Sequence, residues 1–210
     1  IEINSKFYFF DEETIKKLKK LQAVYDDKSK TIRLHRTQLG ALEDLDGILK
    51  KDQLHESWQK SLHALRTFTR LKKAPLPKKF NADLRPYQKT GTNWLHFLRD
   101  FHFGGILADD MGLGKTLQTL PLLAYAHDTS KEPKHSLIVA PTSVVYNWKS
   151  EIEKFTPSLQ PYLYVGKERA FPKKTETKVI LTSYAILWRD REKLAKQNFH
   201  YVILDEAQYI

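Results

Sequence analysis

Two short stretches of this sequence carry residue types that together can handle a nucleoside triphosphate. The first is the glycine-rich turn 109–116, which ends in Lys115 and Thr116. The second is the acidic pair Asp205 and Glu206, which directly follows an apolar run. Backbone N–H groups and a lysine bind phosphates, a hydroxyl and a carboxylate bind Mg²⁺, and a second carboxylate can act on the attacking water. The pattern indicates chemistry on ATP with Mg²⁺.

The glycine-rich turn departs from the usual phosphate loop at one position. The pattern G-x-x-x-x-G-K-[ST] requires a glycine where this chain has Asp109. The apolar run 105–108 before the loop predicts a buried strand, and the residues after Thr116 predict a helix whose N-terminus faces the anion. The alternative is an ordinary glycine-rich strand–helix turn with an exposed lysine.

Apolar runs that alternate with helical patterns predict an α/β fold. The predicted strands are 105–108, 136–140, 162–165, 178–182 and 201–205. Strands and helices in alternation predict a parallel sheet with helices on both faces. The four apolar residues before Asp205 predict a strand that is buried on both faces. Ligands bind beyond the carboxyl ends of such strands, so Lys115 and Asp205 should lie at one edge.

Composition divides the chain into three parts. Residues 1–71 contain two candidate strands, 7–10 and 31–34, and three amphipathic helix patterns; they predict a small α+β accessory module for docking or regulation. Residues 72–80 hold two prolines and four lysines and predict a solvated basic linker. Residues 81–210 predict the α/β lobe. Its first helix is expected to turn these residues inward: Tyr87, Gly91, Trp94, Leu95 and Leu98.

The overall composition excludes several classes of protein. The chain has no cysteine, which excludes disulfides and cysteine-based zinc sites. No apolar run approaches about 18 residues, so no membrane partner is predicted. The net charge is +10, and most of this excess falls before residue 81. A basic balance permits phosphate contacts with nucleic acid without establishing them.

Five segments in register resemble the Swi/Snf-type helicase-like ATPases of helicase superfamily two. They are residues 84–95, 105–116, 137–151, 182–184 and 205–208, and the resemblance covers roughly residues 80–210. It implies a RecA-like lobe, that is, a phosphate-loop NTPase fold. An acidic residue in place of the first loop glycine is the ordinary form in this family. Residues 205–208 match motif II in its DEAQ form; many relatives have His where Gln208 stands, and Gln cannot titrate.

The resemblance also implies roles for individual residues. Lys115, Asp205 and Glu206 would form the catalytic set, with Lys115 on the β- and γ-phosphates and Glu206 on the attacking water. Thr116 and Asp205 would hold Mg²⁺, and Gln208 would couple motif II across the cleft. Gln88 would recognise adenine, and the whole ATP-binding set would be Gln88, Asp109, Asp110, Met111, Gly112, Leu113, Gly114, Lys115 and Thr116. The DNA backbone would be touched by Pro141, Thr142, Thr182 and Ser183.

The activity implied by the resemblance is DNA-dependent ATP hydrolysis that moves the protein on duplex DNA or remodels DNA–protein complexes. Double-stranded DNA would be the partner, held through its phosphates. Such a motor also needs a C-terminal RecA-like lobe with arginine fingers, which residues 1–210 do not include, so the chain alone is expected to be nearly inactive. The expected location is cytoplasmic and nucleoid-associated in a bacterium, or nuclear in a eukaryote. Two alternatives stay open: a generic phosphate-loop NTPase with a non-DNA substrate, and a non-enzymatic fragment that binds DNA or a protein partner.

Overall fold

The computed structural model describes residues 2–3, 6–7, 24–26, 31–33, 63, 67–132, 134–173 and 178–209. The chain divides into two compact units, residues 1–71 with 98–104 and residues 72–97 with 105–210. The three helices predicted before residue 66 lie outside the described residues apart from His63. Within the described ranges, no helix is both long and apolar enough to cross a membrane.

The first unit contains two short antiparallel ribbons. One pairs β1 (Glu2–Ile3) with β2 (Lys6–Phe7). The other pairs β3 (Val24–Asp26) with β4 (Thr31–Arg33). The candidate strand 31–34 is therefore confirmed as β4. Of the candidate 7–10, Phe7 lies in β2 and the rest lies outside the described residues.

The second unit is built on a parallel sheet of four described strands. They are β5 (Ser136–Ala140), β6 (Pro161–Leu163), β7 (Val179–Ser183) and β8 (Val202–Leu204). Their order across the sheet is β6-β7-β5-β8. Val139 lies opposite both Thr182 and Leu204, so the carboxyl ends of β5, β7 and β8 meet at one edge. Four of the five predicted strands are thus confirmed within about two residues.

Helices cover both faces of this sheet. Those that do so are α2 (Lys115–Thr129), α3 (Thr142–Phe155), α4 (Tyr184–Arg189) and α5 (Arg191–Ala195), and α1 (Pro86–Asp100) precedes them in the chain. Ile138 and Leu181 point to one face, where they share a core cluster with residues of α2 and α3. Leu137 and Ile180 point to the other face and pack with Leu194 of α5. This alternation confirms the predicted α/β class.

Two strand predictions were wrong. Residues 105–108 form no strand, and Ile106 is 84% exposed. A strand needs a neighbour for its N–H and C=O groups, and no described strand pairs with this segment. The β8 strand was expected to be buried on both faces, but Val202 is 56% exposed. The reason is that β8 is the edge strand of the described sheet and pairs with β5 on one side.

The inward face predicted for α1 was right only at Gly91, where a Cβ would lie 1.8 Å from Oε1 of Gln118 in α2. Tyr87 is exposed, and the other four residues of that set are only partly buried. The buried residues are instead Gln88, Thr92 and His96, spaced four apart. Polar side chains can be buried where they find partners: the Thr92 hydroxyl donates to the Gln118 carbonyl of α2 at 3.2 Å.

The segment 72–80 packs on the second unit and is not a free linker. The N–H of the buried Ala74 donates to Oδ1 of Asn93 in α1 at 2.7 Å. Phe80 packs against the core cluster between the sheet and α3. Its four lysines match the predicted solvation, since all are exposed, and Pro75 and Leu76 are exposed as well.

Candidate functional site

The glycine-rich loop enters α2 through two residues in the left-handed conformation. Gly112 and Gly114 have φ angles of 82° and 71°, which other residues rarely adopt. A Cβ on Gly114 would also lie 2.6 Å from Nε2 of Gln88. Gly114 is followed directly by Lys115, the first residue of α2. The turn therefore leaves backbone N–H groups at the start of this helix available to an anion.

Lys115 folds back over this loop. Its Nζ donates to the carbonyl oxygen of Asp109 at 2.8 Å and of Asp110 at 3.2 Å. The ammonium is thus held where the N–H groups of the loop would bind phosphate. Met111 and Leu113, which the sequence analysis also assigned to ATP, lie on the exposed side of the loop.

Gln88 is tied to the phosphate loop in this structure. It is buried, its Oε1 accepts from the N–H of Arg85 at 2.9 Å, and its Nε2 donates to the Leu113 carbonyl at 3.1 Å. The Tyr87 hydroxyl donates to the same carbonyl at 3.3 Å. An amide nitrogen has two donors, so one N–H of Gln88 is left for a ligand. Its predicted contact with adenine stays a prediction.

A second glutamine holds the loop and was missed by the sequence analysis. Gln118 is 1% exposed, and its Nε2 donates to Oδ2 of Asp109 at 2.8 Å. Asp109, the residue that replaces the first loop glycine, is therefore anchored to α2. The sequence signal for Gln118 is weak, because it consists only of a spacing of three residues from Lys115, which places the two on neighbouring faces of the helix.

Asp205 stands at the carboxyl end of β8 with its backbone and its carboxylate both held. Its N–H donates to the Val139 carbonyl at 2.8 Å, and its carbonyl accepts from the Tyr184 hydroxyl at 2.8 Å. Oδ2 accepts from the indole N–H of Trp148 at 2.8 Å, and Oδ1 accepts from the N–H of Glu206 at 3.0 Å. Residues of β5 and α4 thus hold the backbone of Asp205, while Trp148 and Glu206 fix its carboxylate.

Glu151 brings the two predicted motifs together. The pKa of the Glu151 carboxyl is raised, mainly by burial and also by the charge of Asp205, while a hydrogen bond with Thr116 opposes this rise. Glu151 therefore lies beside both Thr116, at the start of α2, and Asp205, at the end of β8. The sequence analysis quoted the segment that contains Glu151 but gave this residue no role.

Glu206 has an unusual backbone next to Asp205. Its φ is 52°, a left-handed conformation that is costly for a side chain other than glycine and that concentrates at functional sites. Its Oε2 accepts from Nε2 of the exposed Gln208. Burial raises the pKa of Tyr184, and the charges of Asp205 and Glu206 add to this rise.

The residues predicted to touch DNA differ in their accessibility. Thr142 is exposed and Pro141 is partly exposed, at the start of α3. Thr182 is 0% exposed, and its hydroxyl donates to the Tyr164 carbonyl at 2.9 Å; Ser183 is also buried. The side chains of Thr182 and Ser183 are thus inside the fold in this structure. The predicted DNA contacts of all four residues stay predictions.

The donor set fits magnesium bound together with a nucleotide. Among the described residues, no group of three or more His, Cys, Asp or Glu side chains could hold a metal ion on its own. Mg²⁺ prefers oxygen ligands and is usually held by one or two protein groups plus phosphates and water. The Thr116 hydroxyl and the Asp205 carboxylate are ligands of this kind, and Glu151 beside them supports such a site.

Comparisons with known proteins found relatives that match most of this chain. YwqA of Bacillus subtilis (strain 168) is 35% identical over 100% of this chain, which corresponds to 25% of that protein. The ISWI chromatin-remodeling complex ATPase ISW1 of Saccharomyces cerevisiae is 43% identical over 64% of this chain and 12% of its own length. The SWI2/SNF2 ATPase core of Sulfolobus solfataricus, solved in complex with dsDNA, is 40% identical with a TM-score of 0.59, and the match covers 68% of this chain and 29% of that one.

The archaeal structure is named as an ATPase core and ISW1 as the ATPase of a chromatin-remodeling complex. The chain spans about a quarter of the length of YwqA. The model of the SNF2-related domain matches residues 87–210, which contain both the phosphate loop and the acidic pair. The chain therefore belongs to the SNF2-related domain family.

Proposed function

We propose that this chain is the ATP-binding lobe of a DNA-dependent ATPase that moves on duplex DNA or remodels DNA–protein complexes. The observation that carries this proposal is the geometry of two elements of the second unit: the turn at Gly112 and Gly114 that opens α2 at Lys115, and the Asp205 carboxylate that Trp148 holds at the carboxyl end of β8. The pKa of Glu151 responds to groups from both elements. Lys115 is held in the adjacent loop. A hydroxyl, a carboxylate and an ammonium at one edge match what a magnesium–triphosphate complex requires.

Each residue then has a separate task. Lys115 leaves the carbonyls of Asp109 and Asp110 and binds the β- and γ-phosphates. Thr116 and Asp205 hold Mg²⁺, which neutralises charge on the phosphates. Glu206 orients or deprotonates the attacking water, and Gln208 keeps its carboxylate in place from the exposed side. Gln88 links the adenine side of the site to the phosphate loop.

The proposed partner is double-stranded DNA, contacted through its phosphates. The support is the SWI2/SNF2 core from Sulfolobus solfataricus, which was solved with dsDNA. In this chain, Pro141 and Thr142 at the start of α3 are the accessible candidates for such contacts. Activity on DNA implies a location in the nucleus, or at the bacterial nucleoid. Residues 1–71 would act as an accessory module and residues 81–210 as the motor lobe.

The test compares Lys115→Ala with Glu206→Gln in the full-length protein. Lys115→Ala should weaken binding of a fluorescent ATP analogue by about 10–100-fold, because removal of a charged hydrogen-bond donor costs about 1.5–3 kcal/mol. Glu206→Gln should keep nucleotide binding and lose turnover, since the carboxylate acts on water. Lys131→Ala, at an exposed lysine, is the matched control for loss of charge.

Duplex DNA separates this function from the generic phosphate-loop NTPase. Hydrolysis by the wild-type protein should rise when duplex DNA is added, and an unchanged rate would favour a non-DNA substrate. Equal loss of nucleotide binding in Lys115→Ala and Glu206→Gln would contradict the separate roles. No nucleotide binding in the wild type would leave the non-enzymatic alternative.

A further inference from the structure

Trp148 contacts Asp205 from a helix that lies 57 residues earlier in the chain. We propose that Trp148 is a positioning residue, which sets the orientation of the Asp205 carboxylate for magnesium. The inference rests on the proposed function, because it gives the magnesium role of Asp205 a structural cause. Neither the phosphate loop nor the acidic pair contains this tryptophan.

The indole N–H selects one rotation of the carboxylate. Trp148 Nε1 donates to Oδ2 at 2.8 Å, while the Glu206 N–H donates to Oδ1 at 3.0 Å. Each carboxylate oxygen can accept about two hydrogen bonds or ligands. Each oxygen of Asp205 therefore keeps one lone pair, and the two donors together prevent the carboxylate from turning about its bond to Cβ.

Trp148 itself cannot move easily. It is 4% exposed and belongs to the core cluster that joins α2 and α3 to the sheet. An indole N–H is only a donor, and when buried it needs an acceptor. The rigid core position thus fixes the donor, and the donor fixes Asp205. Mg²⁺ demands nearly ideal octahedral geometry, so the direction of this carboxylate should decide how tightly the metal is held.

The test removes the indole N–H and measures magnesium dependence without hydrolysis. Trp148→Phe is made in a Glu206→Gln background of the full-length protein, and binding of a fluorescent ATP analogue is titrated with Mg²⁺. The Mg²⁺ concentration for half-maximal binding should rise about 10–100-fold, as is typical when an outer-shell partner of a metal ligand is lost. Binding of the analogue without Mg²⁺ should stay the same.

Ile152→Val is the matched control for packing. Ile152 lies one turn further along α3, is fully buried and belongs to the same core cluster. This variant should lower the melting temperature without shifting the Mg²⁺ midpoint. If Trp148→Phe does not fold, a benzothiophene analogue of tryptophan at position 148 removes the N–H and keeps the ring shape.

Three outcomes of these titrations test the role of Trp148. A shifted Mg²⁺ midpoint in the Trp148 variant alone supports the inference. An unchanged midpoint, or equal shifts in Trp148→Phe and Ile152→Val, overturns it and leaves the proposed function standing. If Mg²⁺ does not strengthen nucleotide binding in the wild-type protein, the proposed function fails, and the inference fails with it.

Discussion

Gly91→Ala tests the close packing between α1 and the phosphate-loop helix α2. A Cβ on Gly91 would lie 1.8 Å from Oε1 and 3.0 Å from Cδ of Gln118. Gln118 is 1% exposed, so its amide has no solvent to move into. Any shift of this amide also pulls Nε2 away from Oδ2 of Asp109 in the phosphate loop.

The expected change in the free energy of unfolding has three contributions, and the third opposes the first two. Overpacking a filled interior costs about 1–3 kcal/mol. Loss of a hydrogen bond to a charged carboxylate costs about 1.5–3 kcal/mol. Alanine stabilises the interior of a helix by about 0.8–1 kcal/mol relative to glycine. The free energy of unfolding should therefore fall by about 1.5–5 kcal/mol.

Equilibrium unfolding in urea measures this change. Gly104→Ala is the matched control, because a Cβ there meets nothing within 4 Å. In a Gln118→Ala background the space is cleared, so Gly91→Ala should become neutral or stabilising. If Gly91→Ala raised stability in the wild-type background, or cost the same in both backgrounds, the packing argument would be refuted.

Two further predictions concern pH. The pKa of His127 is lowered from 6.5 to about 4, mainly by burial and then by the charges of His200 and Lys178. The unfolded chain therefore binds a proton that the folded chain does not, so the free energy of unfolding should fall as the pH drops from 6.5 towards 4. This fall should be smaller in His127→Asn. Hydrogen bonds from Arg169 and Tyr164 lower the pKa of Asp190 from 3.8 to about 2, so its stabilising contribution is present above pH 3.8 and lost towards pH 2. Melting temperatures measured across this acid range should depend less on pH in Asp190→Asn than in the wild type. If the pH dependence of either variant equalled that of the wild type, the pKa shift assigned to that residue would be contradicted.

Among the predicted strands that were confirmed, the two central ones have the same environment along their whole length. β5 and β7 are buried at every residue, and a continuous apolar run matches such a strand. The run 105–108 looks the same locally, yet Ile106 is 84% exposed. A run of apolar residues indicates that the segment tends to be buried. A strand also needs a neighbouring strand to pair with, and the local sequence does not specify one.

The buried face of α1 shows a second limit of pattern analysis. Such analysis assigns polar residues to the surface, whereas Gln88 and Thr92 are buried because Leu113 and Gln118 accept their hydrogen bonds. His96 is buried as well, edge-on to the ring of Tyr125 at 5.3 Å. These partners lie about 25 residues or more away in the chain. The spacing of residues within the helix therefore cannot predict these contacts.

The residues of the candidate site show the same difference between local and long-range information. The phosphate loop could be predicted because its function depends on consecutive residues, with Gly114 required by a φ of 71° next to Lys115. The contacts of Asp205 with Trp148 and of Glu151 with Thr116 could not, because they join separate elements. Local motifs thus identify which residues do chemistry, while the residues that hold them in place become visible only in the folded chain.

Helix α3 connects the proposed DNA contacts to the proposed magnesium site. It begins at Thr142, the exposed candidate for a DNA phosphate, and carries Trp148 six residues later, about 9 Å along the axis. Trp148 and Glu151 lie three residues apart and so on one side of the helix, where one holds Asp205 and the other lies beside Thr116. Because the helix is rigid over this length, a shift at its N-terminus on DNA binding would move both groups together. Under the proposed function, this gives DNA a direct structural route to the geometry of ATP hydrolysis.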